Sequence, residues 1–221
     1  NNIIQIIQKT ILYKQMIELH TWPTPNGRKI TIMLEELQIP YIVKTVDIYN
    51  NEQFSDNFSL ISPSNKIPAI IDSENKQSIF ESGAILLYLA NKYNKFLSPK
   101  YHWETIQWLM FQTSQVGPLL GQAHQFLYYH PDQSKFVEEK YINYTKRIYQ
   151  TLNERLKENE YLATEYSIAD ISTWPWIASF EKHRIKLNQY PNVRRWYSSI
   201  MKRSAVIKGY ASVDKKEEIP F

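Results

Sequence analysis

Two short stretches hold groups that could grip a small charged ligand. One is Ile67-Pro68 ahead of the apolar run Ala69-Ile70-Ile71, and the other is Glu81-Ser82-Gly83 at the head of a long apolar segment. Pro68 cannot donate to a sheet ladder, so it belongs at the start of a strand, and Ile67 before it presents its backbone at an unpaired edge. A cis Ile67-Pro68 bond is expected there, turning that edge toward a ligand. The first amides of a helix opening at Ser82 have no intrahelical acceptors and attract a carboxylate. Glu81 beside them offers the opposite charge. A ligand end carrying both an ammonium and a carboxylate, as an amino acid or peptide does, would find complementary groups. An ordinary capped helix after an ordinary hairpin accounts for the same residues equally well.

These residues need a strand, a hairpin and a helix to hold them. Ala69-Ile70-Ile71, the polar turn Ser73-Glu74-Asn75-Lys76 and a second short strand make the hairpin, and Ile85, Leu86, Leu89 and Tyr93 recur at helical spacing after it. Upstream, Met16 to His20 alternates as a first strand. Thr24 and Pro25 are placed as N-cap and first helical residue of a helix carrying Ile30, Met33, Leu34 and Leu37. A strand from Tyr41 to Val46 follows, and a β-α-β crossover makes it parallel to the first. The sum is a four-stranded mixed sheet with helices packed on it. After Ser98-Pro99 no further strand is expected, and the chain reads as helices with turns at Gly117-Pro118, His130-Pro131 and Tyr190-Pro191. Ser167-Ile168-Ala169-Asp170 is a capping-box-like helix start, which assigns Asp170 to structure. Residues 1–15 read as an appendage and the closing DKKEEIPF as a loose tail.

Composition narrows the chemistry. The 221 residues carry a formal charge of +4, with Lys and Arg scattered among Asp and Glu, so no basic stripe points to nucleic acid. No apolar run approaches the roughly 20 residues that span a bilayer, and the first fifteen residues make a poor secretory signal. There is no cysteine, which excludes disulfides, Cys-based metal sites and a protein thiol nucleophile. No His and carboxylate cluster has metal-ligand spacing, and no glycine-rich phosphate loop is present.

Several motifs in one order then carry a resemblance. Thr24-Pro25-Asn26-Gly27, Ser62-Pro63 with Asn65 to Ile70, Phe80 to Ala90, Gly117-Pro118 with Leu120-Gly121-Gln122, and the Ser167 to Asp170 start resemble the cytosolic glutathione transferases. Within that family they are most similar to the Nu-class enzymes, a branch related to the yeast nitrogen-regulating prion protein. The resemblance runs from about Met16 to Ser204. It implies an α/β plus all-α protein: a thioredoxin-like glutathione-binding domain at 16–97, a helical bundle domain at 103–211 and a tail at 212–221. It also implies a cytoplasmic homodimer that uses glutathione as co-substrate with a small disulfide or electrophile, and neither a metal nor a nucleic-acid or membrane partner. Carried over by residue, Ile67 beside Pro68 would pair its backbone with the cysteinyl part of glutathione. Glu81 and Ser82 would hold the γ-glutamyl end, Gln53 and Lys66 would line the tripeptide, and Lys140 would reach in from the other subunit. Where relatives have Arg at that place, Lys lacks the bidentate fork.

A chain without thiols must reduce disulfides through glutathione itself. A free thiol near pKa 8.5 is mostly protonated at neutral pH, so something must stabilise its anion. The resemblance places Thr24 and Asn26 at the sulfur, with the Thr24 hydroxyl as a direct donor and the free amides of Asn26 and Gly27 at a positive helix end. Capping alone also explains Thr24. His20 reads as a packed strand residue, with an approach to the site as the alternative, and His124, Phe126 and Tyr128 lie on a helix with two readings, core packing or a face on the cleft. A protein that binds glutathione without turnover, and an organic hydroperoxide reductase, are the alternative functions.

Overall fold

The computed structural model describes residues 16–214 and 218–221, so the expected appendage lies outside the described residues. The first half runs β1 (Ile17–Thr21), α1 (Pro25–Leu37), β2 (Tyr41–Thr45), a 3-10 turn at Glu52–Phe54, α2 (Asp56–Ile61), β3 (Ala69–Asp72), β4 (Gln77–Phe80) and α3 (Ser82–Tyr93). The sheet order is β2-β1-β3-β4. β1 pairs in parallel with β2, Ile17 opposite Tyr41, and antiparallel with β3, Leu19 opposite Ile70. Period-two burial of Ile17, Leu19 and Thr21 fixes that register, because a one-residue slip would turn all three to the wrong face. The β3–β4 hairpin closes through residues 73–76, with the Lys76 amide donating to the Asp72 carbonyl at 2.7 Å. Ile67-Pro68 is cis, as expected.

Helix α1 is the central element. Every residue from Gly27 to Leu34 is buried, because α1 packs against α3 on one side and against α7 (Ile168–Ile177) and α9 (Ser204–Ala211) on others. Gly209 lets α9 approach: a Cβ there would come within 2.7 Å of the Ile32 backbone. Thr31 Oγ1 donates to the Gly209 carbonyl at 2.6 Å across the same contact. Arg203 closes the seam with a bidentate pair to Glu36 at 2.6 and 2.9 Å, and its guanidinium lies 3.9 Å over the Tyr166 ring.

The second half is helical: α4 (His102–Phe111), α5 (Gly117–Ala123), α6 (Lys135–Arg155), α7, α8 (Pro191–Met201) and α9. Gly117-Pro118 is not a turn. Helical backbone runs from α4 through a π-type turn at Gln112–Val116 into α5, and the Gly117 amide donates to the Gln112 carbonyl. The wider turn shifts the hydrogen-bond register so that Pro118, lacking an N–H, opens the next segment instead of breaking the helix. The Ser167–Asp170 capping box is complete. Asp170 is fully buried and also accepts from the Leu162 amide at 2.9 Å and the Trp196 indole at 2.8 Å, a structural role as expected. Of the tail expected to be loose, the described residues 218–221 are held: the Tyr197 hydroxyl donates to the Pro220 carbonyl, and Ile219 packs on the core.

Candidate active site

Thr24 caps α1 from extended backbone, its Oγ1 accepting from the Gly27 amide at 3.2 Å with Pro25 at the first helical position. A hydroxyl that accepts in this way keeps its own hydrogen to donate outward. The Gly27 amide, expected to be free, is therefore spent on the cap. Among the described residues the Asn26 amide makes no such bond to the cap. Gly27 itself is required by close approach, since a Cβ would lie 2.4 Å from both Thr21 Oγ1 and the Trp22 carbonyl. The Asn26 side chain is held from the helical half, its Oδ1 accepting from Trp176 Nε1 at 3.1 Å.

The second corner is the loop before β3. Ser62 Oγ donates to the Lys66 carbonyl at 2.8 Å. Asn65, at φ 53°, donates from Nδ2 to the Gln53 carbonyl at 2.9 Å and to Ser59 Oγ at 2.6 Å. These bonds pin the backbone on either side of half-buried Ile67, while Pro68 is buried and Lys66 exposed. Gln53 Oε1 is buried without a hydrogen-bond partner among the described residues.

Glu81 and Ser82 head α3 and, like Gln53, Lys66 and Pro68, are not among the residues lining the cleft that holds Thr24, Asn26 and Ile67. Glu81 is exposed, with φ 66° and ψ 116°, a backbone conformation that side chains other than glycine rarely adopt. Strain of this kind costs of order 1–3 kcal/mol and persists where the surroundings enforce it. Helix α3 opens at Ser82 with no side-chain cap, so its leading amides are left for another acceptor. Ser82 Oγ accepts from Lys29 Nζ at 3.1 Å, and the same ammonium donates to Gln112 Oε1 at 2.7 Å, which also accepts from Ser172 Oγ at 2.6 Å. Lys29 is only 2 % exposed, and desolvation pulls its pKa from 10.5 down to about 7 against the opposing attraction of Glu81. This network was not legible in the sequence, where a Lys beside an Arg reads as a solvated face. The available signal was the density of apolar residues on all sides of α1.

Thr24, Asn26 and Ile67 line one cleft of about 540 Å³ between the two halves, together with Arg28, Tyr49, His124, Tyr129, Trp176 and Lys182. His124 faces it, one of the two readings the sequence left open. Burial lowers its pKa to about 4, and its ring stacks 4.7 Å from that of His183. Phe126 instead stacks on Tyr141, and Tyr128 turns outward, while its neighbour Tyr129 lines the cleft. His20 is a strand residue, bonded to Glu18 Oε1 at 2.7 Å. Lys140 is exposed on α6 and is not among the residues lining this cleft.

Residues 24–92 match the glutathione S-transferase N-terminal domain, and residues 116–204 match the C-terminal domain of the same family. The chain belongs to the glutathione S-transferase family. It is 45% identical over 198 residues to the disulfide-bond oxidoreductase YfcG of Escherichia coli, a match covering 86% of this chain and 92% of that one. Protein URE2 of Debaryomyces hansenii is 32% identical over 227 residues, covering 83% of this chain and 74% of the relative. These relatives fit the branch that the sequence motifs resemble. Among solved structures, a Pseudomonas putida glutathione transferase with one glutathione disulfide bound per subunit superposes with a TM-score of 0.85 at 38% identity, covering 89% and 91% of the two chains. A Burkholderia graminis transferase with two glutathione molecules per subunit gives 0.84 at 36% identity, covering 92% and 90%. This transferase-family chain thus has a thioredoxin-like sheet domain followed by a helical domain. Among the described residues no group of His and carboxylates is arranged to hold a metal, and no helix is long and apolar enough to cross a membrane.

Proposed function

We propose that this chain is a glutathione-dependent reductase of small disulfides. The observation that carries the reading is the meeting of Thr24, Asn26 and Ile67 on one cleft, in a protein with no cysteine of its own. Thr24 and Asn26 face the glutathione sulfur at the positive end of α1 and favour its thiolate. Ile67 pairs with the cysteinyl backbone, on an edge that Pro68 begins. The uncapped amides of α3 with Ser82 take the γ-glutamyl carboxylate, and Glu81 takes its ammonium. Gln53, whose buried oxygen has no partner among the described residues, and Lys66 line the rest of the tripeptide.

Reduction proceeds by thiolate exchange. The bound glutathione thiolate attacks one sulfur of the acceptor disulfide, a new S–S bond forms, and the other sulfur leaves as a thiolate that takes a proton. A second glutathione thiolate attacks the glutathionyl sulfur of that mixed disulfide and releases the other acceptor thiol. The products are glutathione disulfide and two acceptor thiols, with two electrons coming from two glutathiones. Residues 16–97 act as the glutathione-binding unit and residues 103–211 close the cleft. The working form is a cytoplasmic homodimer in which Lys140 contributes charge to the partner's site. The test is turnover of a small disulfide with glutathione, run beside an organic hydroperoxide and an aromatic halide. Disulfide turnover well above the other two is expected. Binding of glutathione without turnover of any acceptor would leave only the binding-protein alternative.

A further inference from the structure

We propose that Trp176, on the far domain, is a positioning residue that sets which end of the Asn26 amide faces the glutathione sulfur. The inference rests on the reading that Asn26 lies at that sulfur. An indole N–H can only donate, so its 3.1 Å contact with Asn26 requires the amide oxygen, not the NH2 group, on the Trp176 side. The amide is planar, so its two hydrogens then point away from Trp176, and it is this end that can donate to an anion. A flipped amide would set donor against donor at Trp176 and present its oxygen to a thiolate, which repels it.

The indole is itself fixed. Trp176 is 6 % exposed, near the end of a helix buried along its whole length and started by the Ser167–Asp170 capping box. Gly121 lies against the six-membered ring, where a Cβ would meet Cη2 at 3.4 Å, an ordinary contact distance. The ring of His124 lies 5.6 Å away on the cleft side. With its pKa lowered to about 4, His124 is neutral at working pH and brings no positive charge to compete for the Asn26 oxygen. The helical domain therefore does more than close the cleft: it orients one of the two groups on α1 assigned to the sulfur.

The test is the pH titration of the thiolate absorbance of glutathione bound to the full chain, in wild type, W176F, N26A and the double variant. W176F should raise the apparent pKa of the bound thiol by about one pH unit, a tenfold lower thiolate fraction below the pKa, while glutathione affinity changes less than about threefold. Added to N26A, W176F should shift the titration no further, because its effect passes through Asn26. Should W176F fail to fold, benzothienylalanine placed at position 176 keeps the ring shape without the N–H and should give the same shift. An unchanged titration in W176F or the benzothienyl variant, with N26A shifted, overturns the inference and leaves the proposed function standing. An unchanged titration in N26A removes the Asn26 side chain from the sulfur and takes the inference with it. Additive shifts in the double variant would show that Trp176 acts by another route and also overturn it.

Discussion

Replacing Lys29 by Met should abolish a pH dependence of stability that the wild type owes to one buried ammonium. Lys29 is buried between α1, the start of α3 and the Gln112 turn, with its pKa drawn from 10.5 to about 7 by desolvation. The folded pKa lies below the unfolded one, so between these values the unfolded chain holds the extra proton. Stability must then rise with pH across the window. From pH 7 to 9.5 the linkage amounts to about 3 kcal/mol, at roughly 1.4 kcal/mol per pH unit less the partial titration at each end. Met has a similar length and no charge, and Gln112 Oε1 keeps its bond from Ser172. Urea unfolding of wild type and K29M at pH 7, 8 and 9.5 isolates the effect, because other titrating groups cancel in the difference. The stability of wild type relative to K29M should increase by about 3 kcal/mol from the lowest to the highest pH. A difference that stays flat would refute the reasoning, and would mean that Glu81 holds Lys29 charged throughout.

Gly27→Ala should destabilise the protein by several kcal/mol, or prevent folding, because the added methyl meets the Thr21 hydroxyl and the Trp22 carbonyl at 2.4 Å; thermal unfolding checks this. Thr24→Ala removes the cap on the Gly27 amide and should cost about 1 kcal/mol in denaturant unfolding, while lowering disulfide turnover by ~10-fold or more through the lost donor. Asp170→Ala leaves the Leu162 amide and Trp196 indole unpaired in the core, and should cost about 3–5 kcal/mol by urea unfolding with glutathione affinity unchanged in whatever remains folded.

What the sequence revealed was local. Thr24-Pro25, Ile67-Pro68 and Ser167 to Asp170 act on backbone within a few residues, so cap, strand start and capping box could all be read from neighbours. The four-stranded mixed sheet followed from a β-α-β crossover and a hairpin, whereas its order β2-β1-β3-β4 came only with the structure. Gly117-Pro118 misled because a proline is normally a stop, and nothing in Gln112 to Val116 announces a π-type turn that absorbs it. The free amide expected at Gly27 was taken by a side chain three residues back. The deeper parts of the site were invisible for another reason. Lys29 meets Gln112 across 83 residues and Asn26 meets Trp176 across 150, contacts set by how two domains dock and not by any local pattern.

Under the proposed function, a cysteine-free chain reduces disulfides through a glutathione thiolate stabilised by Thr24 and Asn26. The measurement that bears on it most directly is the pH profile of kcat for a small disulfide at saturating glutathione, in wild type and in a Thr24→Ala, Asn26→Ala double variant. The account predicts a wild-type acid limb with an apparent pKa well below the ~8.5 of a free thiol, moving up toward that value in the double variant. A wild-type profile that already follows the free thiol, or one that the double variant leaves in place, would contradict it.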